Sequence, residues 1–450
     1  MSLLYRIHRF FALPTTLCCP FTNVNVELSK HSTLIPTLTP RVTDHSPIEN
    51  SQPMFSLSAP DYGLNFYTSI HDINTDWERA THAENRFLQR DYLATLEDNP
   101  PADMQFAYWV FYKKNQAVGV AIGQIVRFKV TENIKTENGV EKKSLVNSVK
   151  NKLTKWVAGS VGFNLLLVGS TLLTGEHGFY FGNECDKSLQ LQLIQEALDI
   201  GKKELAKQNI QIDGNMLKDF VQEDQVVTQA KFIEEHQYSE FEFQPTMITT
   251  LREEWTCFED YLDAMSSKYR VRAKRAHKKG KELATRSLSL EEIKQHQTTI
   301  YQLYQNVADA ADVNMAQLHP DYFLKLKENL GDNFQLFGWF LEEKLIGFHT
   351  LIDDYQELEA HFLGLDHDFN RSHQLYLNML YSMTDYGIKN KYESVAFART
   401  ALEIKSSVGA EPYRMYCYIR HNKNLPNRFL KSAVSYFEPN VEWKQRHPFK

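Results

Sequence analysis

The stretch Tyr108-Trp-Val-Phe-Tyr-Lys-Lys-Asn-Gln-Ala-Val-Gly-Val-Ala-Ile-Gly-Gln124 has a counterpart in the second half of the chain. That counterpart is Leu336-Phe-Gly-Trp-Phe-Leu-Glu-Glu-Lys-Leu-Ile-Gly-Phe-His-Thr-Leu-Ile352. Each reads as an aromatic-rich strand, a polar turn and a second strand carrying glycine, which is the pattern of a β-hairpin. Working outward, each hairpin is followed by a further apolar strand, Phe163 to Val168 in the first half and Leu358 to Leu363 in the second. A segment of helical periodicity comes next, about Ser188 to Lys207 and about Ser372 to Lys389, and then a short strand, Ile210 to Ile212 and Ser394 to Phe397. The order hairpin, strand, helix, strand therefore occurs twice, and an internal repeat decides architecture before any single element does.

Two copies of one mixed α/β unit also suit the length, since 450 residues exceed one ordinary domain. The spacing places the first unit at residues 54–240 and the second at 241–450. Tyr238 to Thr250 is a strand-rich crossover, and Phe258 to Met265 is a helix. A basic, irregular insertion is expected at 129–155. Residues 1–53 are nearly free of acids before Asp44 and rich in Ser, Thr and Pro. They read as a disordered leader or an upstream start ahead of Met54, with an organellar targeting segment as the alternative.

A net charge of −6 with 24% charged residues argues against a dedicated nucleic-acid coat, though a local basic patch remains open. Cys18, Cys19, Cys185, Cys257 and Cys417 are scattered and form no CxxC, so reduced thiols in a cytoplasmic protein are the expectation. Trp156 to Gly175 carries no charge, but its glycines and hydroxyls dilute the apolar signal, and no integral membrane association is expected. His361, His367 and His373 recur every six residues, a period that suits neither a helix face nor an HExxH site; no metal is assigned.

The strongest motif is Phe397-Ala-Arg-Thr-Ala-Leu-Glu-Ile-Lys405-Ser-Ser-Val-Gly409-Ala-Glu-Pro412. A second is the basic run Tyr269-Arg-Val-Arg-Ala-Lys-Arg-Ala-His-Lys-Lys279. With the element order, these resemble the acyl-CoA N-acyltransferase (GNAT) superfamily, and more narrowly its tandem, FemAB-like branch, which includes proteins labelled for peptidoglycan biosynthesis. Members often carry Phe-Gly-Arg-Ser/Thr, then Lys, Gly and Pro at similar offsets; here Ala398 stands where Gly is usual. The resemblance implies two tandem GNAT-like domains. It also implies N-acyl transfer from acyl-CoA or acetyl-CoA as co-substrate, with an amine-bearing small molecule or cell-wall precursor as acceptor. Aminoacyl-tRNA is the rival donor, because FemAB-type transferases use it. The glycine-rich pyrophosphate loop usual in CoA-binding members is absent, which favours a third reading, a GNAT-like scaffold without catalysis.

N-acyl transfer requires a neutral amine, a stabilised oxyanion and a proton for the leaving group. Along Leu358 to Leu363 the alternation puts Glu359 and His361 on one face, where a carboxylate beside an imidazole can orient it. The plain alternative is a solvated polar face. His349 on the preceding strand is a further candidate base, and Tyr376 on the helix a candidate proton donor; a core histidine and a core aromatic are the plain readings. At the strand-to-helix junction, Gly364 permits close backbone approach and is followed by Leu365. Asn370, Arg371 and Ser372 stand at the expected helix start, with Arg371 suited to a phosphate and Ser372 to the cap. Gly364, Leu365, Asn370, Arg371 and Ser372 are thus the expected donor-binding set. Arg399 and Lys405, at the C-terminal end of the last strand, are the expected binders of an anionic substrate group. The basic run is expected to be helical and to meet a phosphate group, tRNA or an anionic surface, a solvated face being the alternative.

Overall fold

The computed structural model describes residues 52–81, 85–102, 104–128, 163–183, 185–221, 227–310, 317–434 and 443–450. The expected leader, apart from its last two residues, lies outside them, as do the basic insertion and residues 156–162 of the uncharged run. Among the described residues, sixteen strands form in chain order. They are β1 (Phe55–Ser56), β2 (Tyr62–Tyr67), β3 (Gln105–Lys113), β4 (Gln116–Phe128), β5 (Phe163–Val168), β6 (Phe179–Phe181), β7 (Gly214–Val221) and β8 (Ser239–Glu242). The second half adds β9 (Thr246–Thr250), β10 (Leu283–Ser287), β11 (Phe334–Leu341), β12 (Lys344–Asp354), β13 (Glu357–Leu365), β14 (Ser394–Ala396), β15 (Glu411–Tyr413) and β16 (Met415–His421).

The first sheet runs β1-β2-β3-β4-β5-β7-β16-β8, with β6 also on β4; the second runs β10-β11-β12-β13-β14-β9-β15. Both are mixed and flanked by helices. The repeat is present in the pairing. β3–β4 and β4–β5 are antiparallel and β5–β7 parallel, matched by β11–β12, β12–β13 and the parallel β13–β14. The first hairpin turns on Lys114 and Asn115, both at positive φ (48° and 63°), the handedness that follows the twist of two-residue hairpins.

The helix of the first copy, Lys187–Lys207, starts on an Asp186 cap that accepts from the Leu189 N–H at 3.0 Å. It lies directly on the sheet because Gly201 has no Cβ; one would sit 2.7 Å from the Trp109 ring. The strand expected at Ile210 to Ile212 is displaced to β7, since Asn209 turns the chain left-handed (φ 63°).

The expected division at residue 240 separates the sequence but not the sheets. Only residues 243–245 join β8 in the first sheet to β9 in the second, and only Arg414 joins β15 back to β16. Strand β16, from the C-terminal half, therefore sits between β7 and β8, while β9 sits between β14 and β15. The halves also share a core: Tyr92, Leu93 and Leu96 of helix Arg90–Asp98 belong to one buried cluster with Tyr322, Phe323 and Leu326 of helix Tyr322–Leu330. Across it, the Arg86 N–H donates to Asp354 Oδ1 at 2.7 Å and Asn329 Nδ2 to Thr95 Oγ1 at 2.8 Å.

Among the described residues no helix is long and apolar enough to cross a membrane, and the described part of the uncharged run contains β5. Cys185, Cys257 and Cys417 are free thiols.

Candidate functional site

The site grows from the place where β13 and β14 part. They pair in parallel over three rungs only, the last being Glu359 with Ala396. On its other side, β13 meets β12 with a register shift: His349 faces Leu363 but Leu351 faces Ala360, so Thr350 is left opposite His361 and Phe362. This is a β-bulge, which re-aims side chains and bends a strand. Thr350 Oγ1 closes it, accepting from the Phe362 N–H and donating to the Phe362 carbonyl, both at 2.9 Å.

Glu359 and His361 are both interior, 3% and 6% exposed, so they do not form the solvated face that was the plain alternative. Burial, together with the neighbouring carboxylates of Glu357 and Asp354, holds the Glu359 carboxyl well above the usual range, with the Lys405 ammonium pulling the other way. Burial pushes the His361 imidazole down to about 3. Its Nε2 lies 2.6 Å from the Tyr322 hydroxyl on the helix Tyr322–Leu330, while its Nδ1 is buried without a hydrogen-bond partner. His349 is likewise depressed to about 3 by burial. Its Nδ1 accepts from Trp339 Nε1 at 2.9 Å, and its ring stacks on Phe337 at 5.0 Å. Both imidazoles are buried, and burial favours their neutral form.

A stability consequence follows. A histidine depressed in the folded chain contributes stability that is complete above pH 6.5 and lost as pH falls towards 3, because the unfolded chain takes up the proton. The raised carboxyls Asp354 (about 7) and Glu359 act in the opposite sense, so the clean measurement is a difference. Replacing His361 by Gln is expected to shrink the drop in unfolding free energy between pH 7 and pH 5 by about 2 kcal/mol. Urea unfolding of both proteins at the two pH values measures it; equal drops would exclude a neutral His361.

The expected donor-binding set is divided between protein contacts and solvent. Gly364 is a point of close approach, but to the chain itself: a Cβ there would meet the Phe348 ring and lie 2.6 Å from the backbone nitrogen of Tyr304 on helix Leu290–Ala308. Leu365 is buried, and its carbonyl accepts from Asn306 Nδ2 at 3.2 Å. The helix expected from Ser372 is two helices, His367–His373 and Leu375–Lys389, broken at Gln374 in the left-handed region (φ 52°). The cap of the longer helix is accordingly not Ser372. Asn370 Oδ1 accepts from the Tyr376 N–H at 3.1 Å, and Ser372 Oγ donates to the Phe369 carbonyl. Arg371 is exposed. Tyr376 is half-buried, packed against the core of the second copy, and burial raises its hydroxyl far above the ordinary value.

Arg399 and Lys405 are engaged inside the protein. Lys405 is buried, and its ammonium donates to the carbonyls of Phe397 (2.6 Å), Ala398 (3.4 Å) and Arg399. Burial lowers it to about 7, against the pull of Glu359. The loop it holds is strained: Ala398, Thr400 and Ala401 all have positive φ (53°, 67° and 49°), a region that costs a non-glycine residue about 1–2 kcal/mol. A glycine would adopt this conformation without that cost. Ala398→Gly is therefore expected to stabilise the protein by about 0.5–1 kcal/mol, the reverse of the ordinary effect of glycine; a fall in thermal midpoint would contradict the strain.

The Arg399 guanidinium crosses to the first sheet. It ion-pairs with Asp219 on β7, donates from Nε to the Gln244 carbonyl at 2.9 Å, and lies 5.0 Å from the Phe243 ring centroid. Asp219 also pairs with Lys218, whose Nζ donates to the Leu173 carbonyl at 2.9 Å, and it accepts from the Gly175 N–H at 3.2 Å. Burial would raise the Asp219 carboxyl, but Arg399 and Lys218 together hold it below the ordinary value; burial lowers the Lys218 ammonium despite Asp219. The glycine- and hydroxyl-rich loop after β5 is thus fastened to β7. Sequence reasoning missed this cluster, yet a Lys-Asp pair inside the apolar run Met216 to Val221 is a signal that a strand carries a buried charge.

The two partings correspond. β5 and β7 pair in parallel up to Val168 and Leu217, and two residues on Asp219 is left-handed (φ 67°); β13 and β14 end at Glu359 and Ala396, and two residues on is Ala398.

No protein-family model and no curated protein matches the chain. Solved structures do. A tandem GNAT protein from the clavulanic acid biosynthesis pathway is 11% identical, over 80% of this chain and 98% of its own, with a TM-score of 0.47. FemX is 11% identical over 75% of this chain and 96% of its own, with a TM-score of 0.44. L-PGS from Bacillus licheniformis is 11% identical over 76% and 95%, with a TM-score of 0.39. Similarities of this size leave function to the chain's own residues.

Proposed function

We propose that the protein is a tandem GNAT-type N-acyltransferase that moves an acyl group from acyl-CoA to an amine acceptor. The observation that carries the reading is the twofold parting of a parallel strand pair beyond its last rung, at β5/β7 and at β13/β14. A backbone N–H group beyond the last rung of a parting pair would suit a thioester carbonyl and its oxyanion. In the second copy a bulge and the buried Glu359, His361 and Tyr322 adjoin that place. The acceptor in this reading is an amine-bearing small molecule or cell-wall precursor, and aminoacyl-tRNA is the alternative donor.

A second reading has its own support. Arg399 and Lys405 are occupied by protein partners, and the Gly364 approach is filled by helix Leu290–Ala308, as a scaffold without turnover would have it. Calorimetric titration of the full chain with acetyl-CoA, longer acyl-CoAs and free CoA separates the two. Saturable binding in the micromolar range is the expected result. No heat across the series, followed by none with aminoacyl-tRNA, would leave the scaffold.

A further inference from the structure

The basic run folds as the helix Ser267–Lys279, and its faces divide sharply. Tyr269, Ala273 and Ala276 are buried against the second sheet's core. Lys268, Arg272 and Arg275, at spacings of four and three, share another face. Along that face runs a groove of about 650 Å³, lined by Lys268, Tyr269, Val271, Arg272, Arg275 and Arg446. Arg446 arrives from the C-terminal segment, which is fastened independently. Phe449 packs on Trp255 and Tyr261, Met265 bridges to Phe449, and the Arg446 N–H donates to Ser406 Oγ at 3.0 Å.

The charges of this groove are unbalanced. Glu403 pairs with Arg446, and Asp263 pairs with Arg270, which does not line the groove. Among the described residues no carboxylate lies within 4 Å of the Lys268 ammonium or of the Arg272 and Arg275 guanidiniums. Like charges at helical spacing repel, so this arrangement opposes its own helix unless an anion joins them. Guanidiniums present paired N–H donors that match phosphoryl oxygens.

We propose that the groove between helix Ser267–Lys279 and the C-terminal segment is a binding site for a small phosphorylated ligand, held through its phosphates by Lys268, Arg272, Arg275 and Arg446. The site lies outside the β13/β14 parting and stands independently of acyl transfer. Its size is that of a small-molecule site. A lipid surface fits less well, because the helix turns its apolar face inward and leaves Val271 as its exposed large apolar side chain. Single-stranded nucleic acid fits less well too, because base stacking calls for exposed aromatic faces, and Tyr269, largely buried with the Lys268 ammonium 5.6 Å from its ring centroid, offers little of one.

The test is calorimetric titration of the full chain with inorganic diphosphate at 50 mM and 200 mM NaCl. Saturable one-to-one binding that weakens with salt is expected. Arg272→Gln/Arg275→Gln should weaken it at least tenfold, and the single exposed change Arg275→Gln should weaken it measurably should the double variant fold poorly. Lys278→Gln/Lys279→Gln removes the same charge away from the groove and should leave binding within twofold. Equal losses in both double variants would mean diffuse attraction and overturn the site. Absence of binding at millimolar diphosphate would overturn it as well. So would sedimentation with phosphatidylglycerol vesicles, but not phosphatidylcholine vesicles, in a chain that ignores diphosphate.

Discussion

Replacing Asp219 by Asn is expected to lower the unfolding free energy by about 3–5 kcal/mol, the range for removing one partner of a buried ion pair. Asn keeps the shape and tolerates the left-handed backbone at φ 67°, so the change isolates the charge. Three things then fail together. Lys218 and Arg399 face each other with no anion between them, the Gly175 N–H exchanges a charged acceptor for a neutral one, and the second half loses its pair to the first sheet. Ionic pairs are weak evidence for stability while intact, but breaking one leaves an uncompensated charge in the interior. Thermal or urea unfolding of the variant measures the loss. A cycle with Arg399→Ala adds the decisive term: the double variant should cost at least 1.5 kcal/mol less than the sum of the singles, as expected for side chains in direct contact. Additive losses would show that the two halves are not coupled through this pair.

Lys405→Met should cost about 3 kcal/mol. Methionine fills the same channel but donates nothing, so the carbonyls of Phe397, Ala398 and Arg399 lose their shared partner in a buried setting. Relief of the ammonium's desolvation offsets part of this, which keeps the figure below that for Asp219. The pH dependence provides a second signature. A lysine near 7 in the folded chain and near 10.5 when unfolded binds fewer protons folded, so wild-type stability rises between pH 7 and pH 9 by about 2–3 kcal/mol from this group alone. The methionine variant should lack that rise. Parallel urea titrations at the two pH values would show it, and an unchanged rise in the variant would place Lys405 outside the interior.

Arg399 and Lys405 stand out in the sequence because they belong to the Phe397 to Pro412 motif, and a motif cation at a strand end suggests an anionic ligand. In the fold they bind the protein's own carboxylate and carbonyls, stabilising the strained turn from which any chemistry at the β13/β14 parting would be presented. A pattern of residue types cannot distinguish a cation that waits for a ligand from one that already has a partner 180 residues away. The basic helix shows the converse. It was open to a plain reading as a solvated face, and the docking of Arg446 beside it makes a groove.

Local patterning by itself determined the repeat: the two hairpins, the strand after each, the helix Lys187–Lys207 and the basic helix. These follow from alternation and helical spacing, which are properties of neighbours in the chain. It could not determine which strands complete each sheet. β16 reads as an apolar run in the second half, and its place between β7 and β8 depends on a crossover at residues 243–245 and a return at Arg414. Nor could alternation foresee the bulge at Thr350, which sets His361 against Tyr322, or the break at Gln374, which becomes the cap position of the longer helix while Asn370 accepts from the Tyr376 N–H. Burial and long-range pairing decide those features, since the free energy of a buried charge or an unpaired carbonyl depends on what the rest of the chain brings beside it.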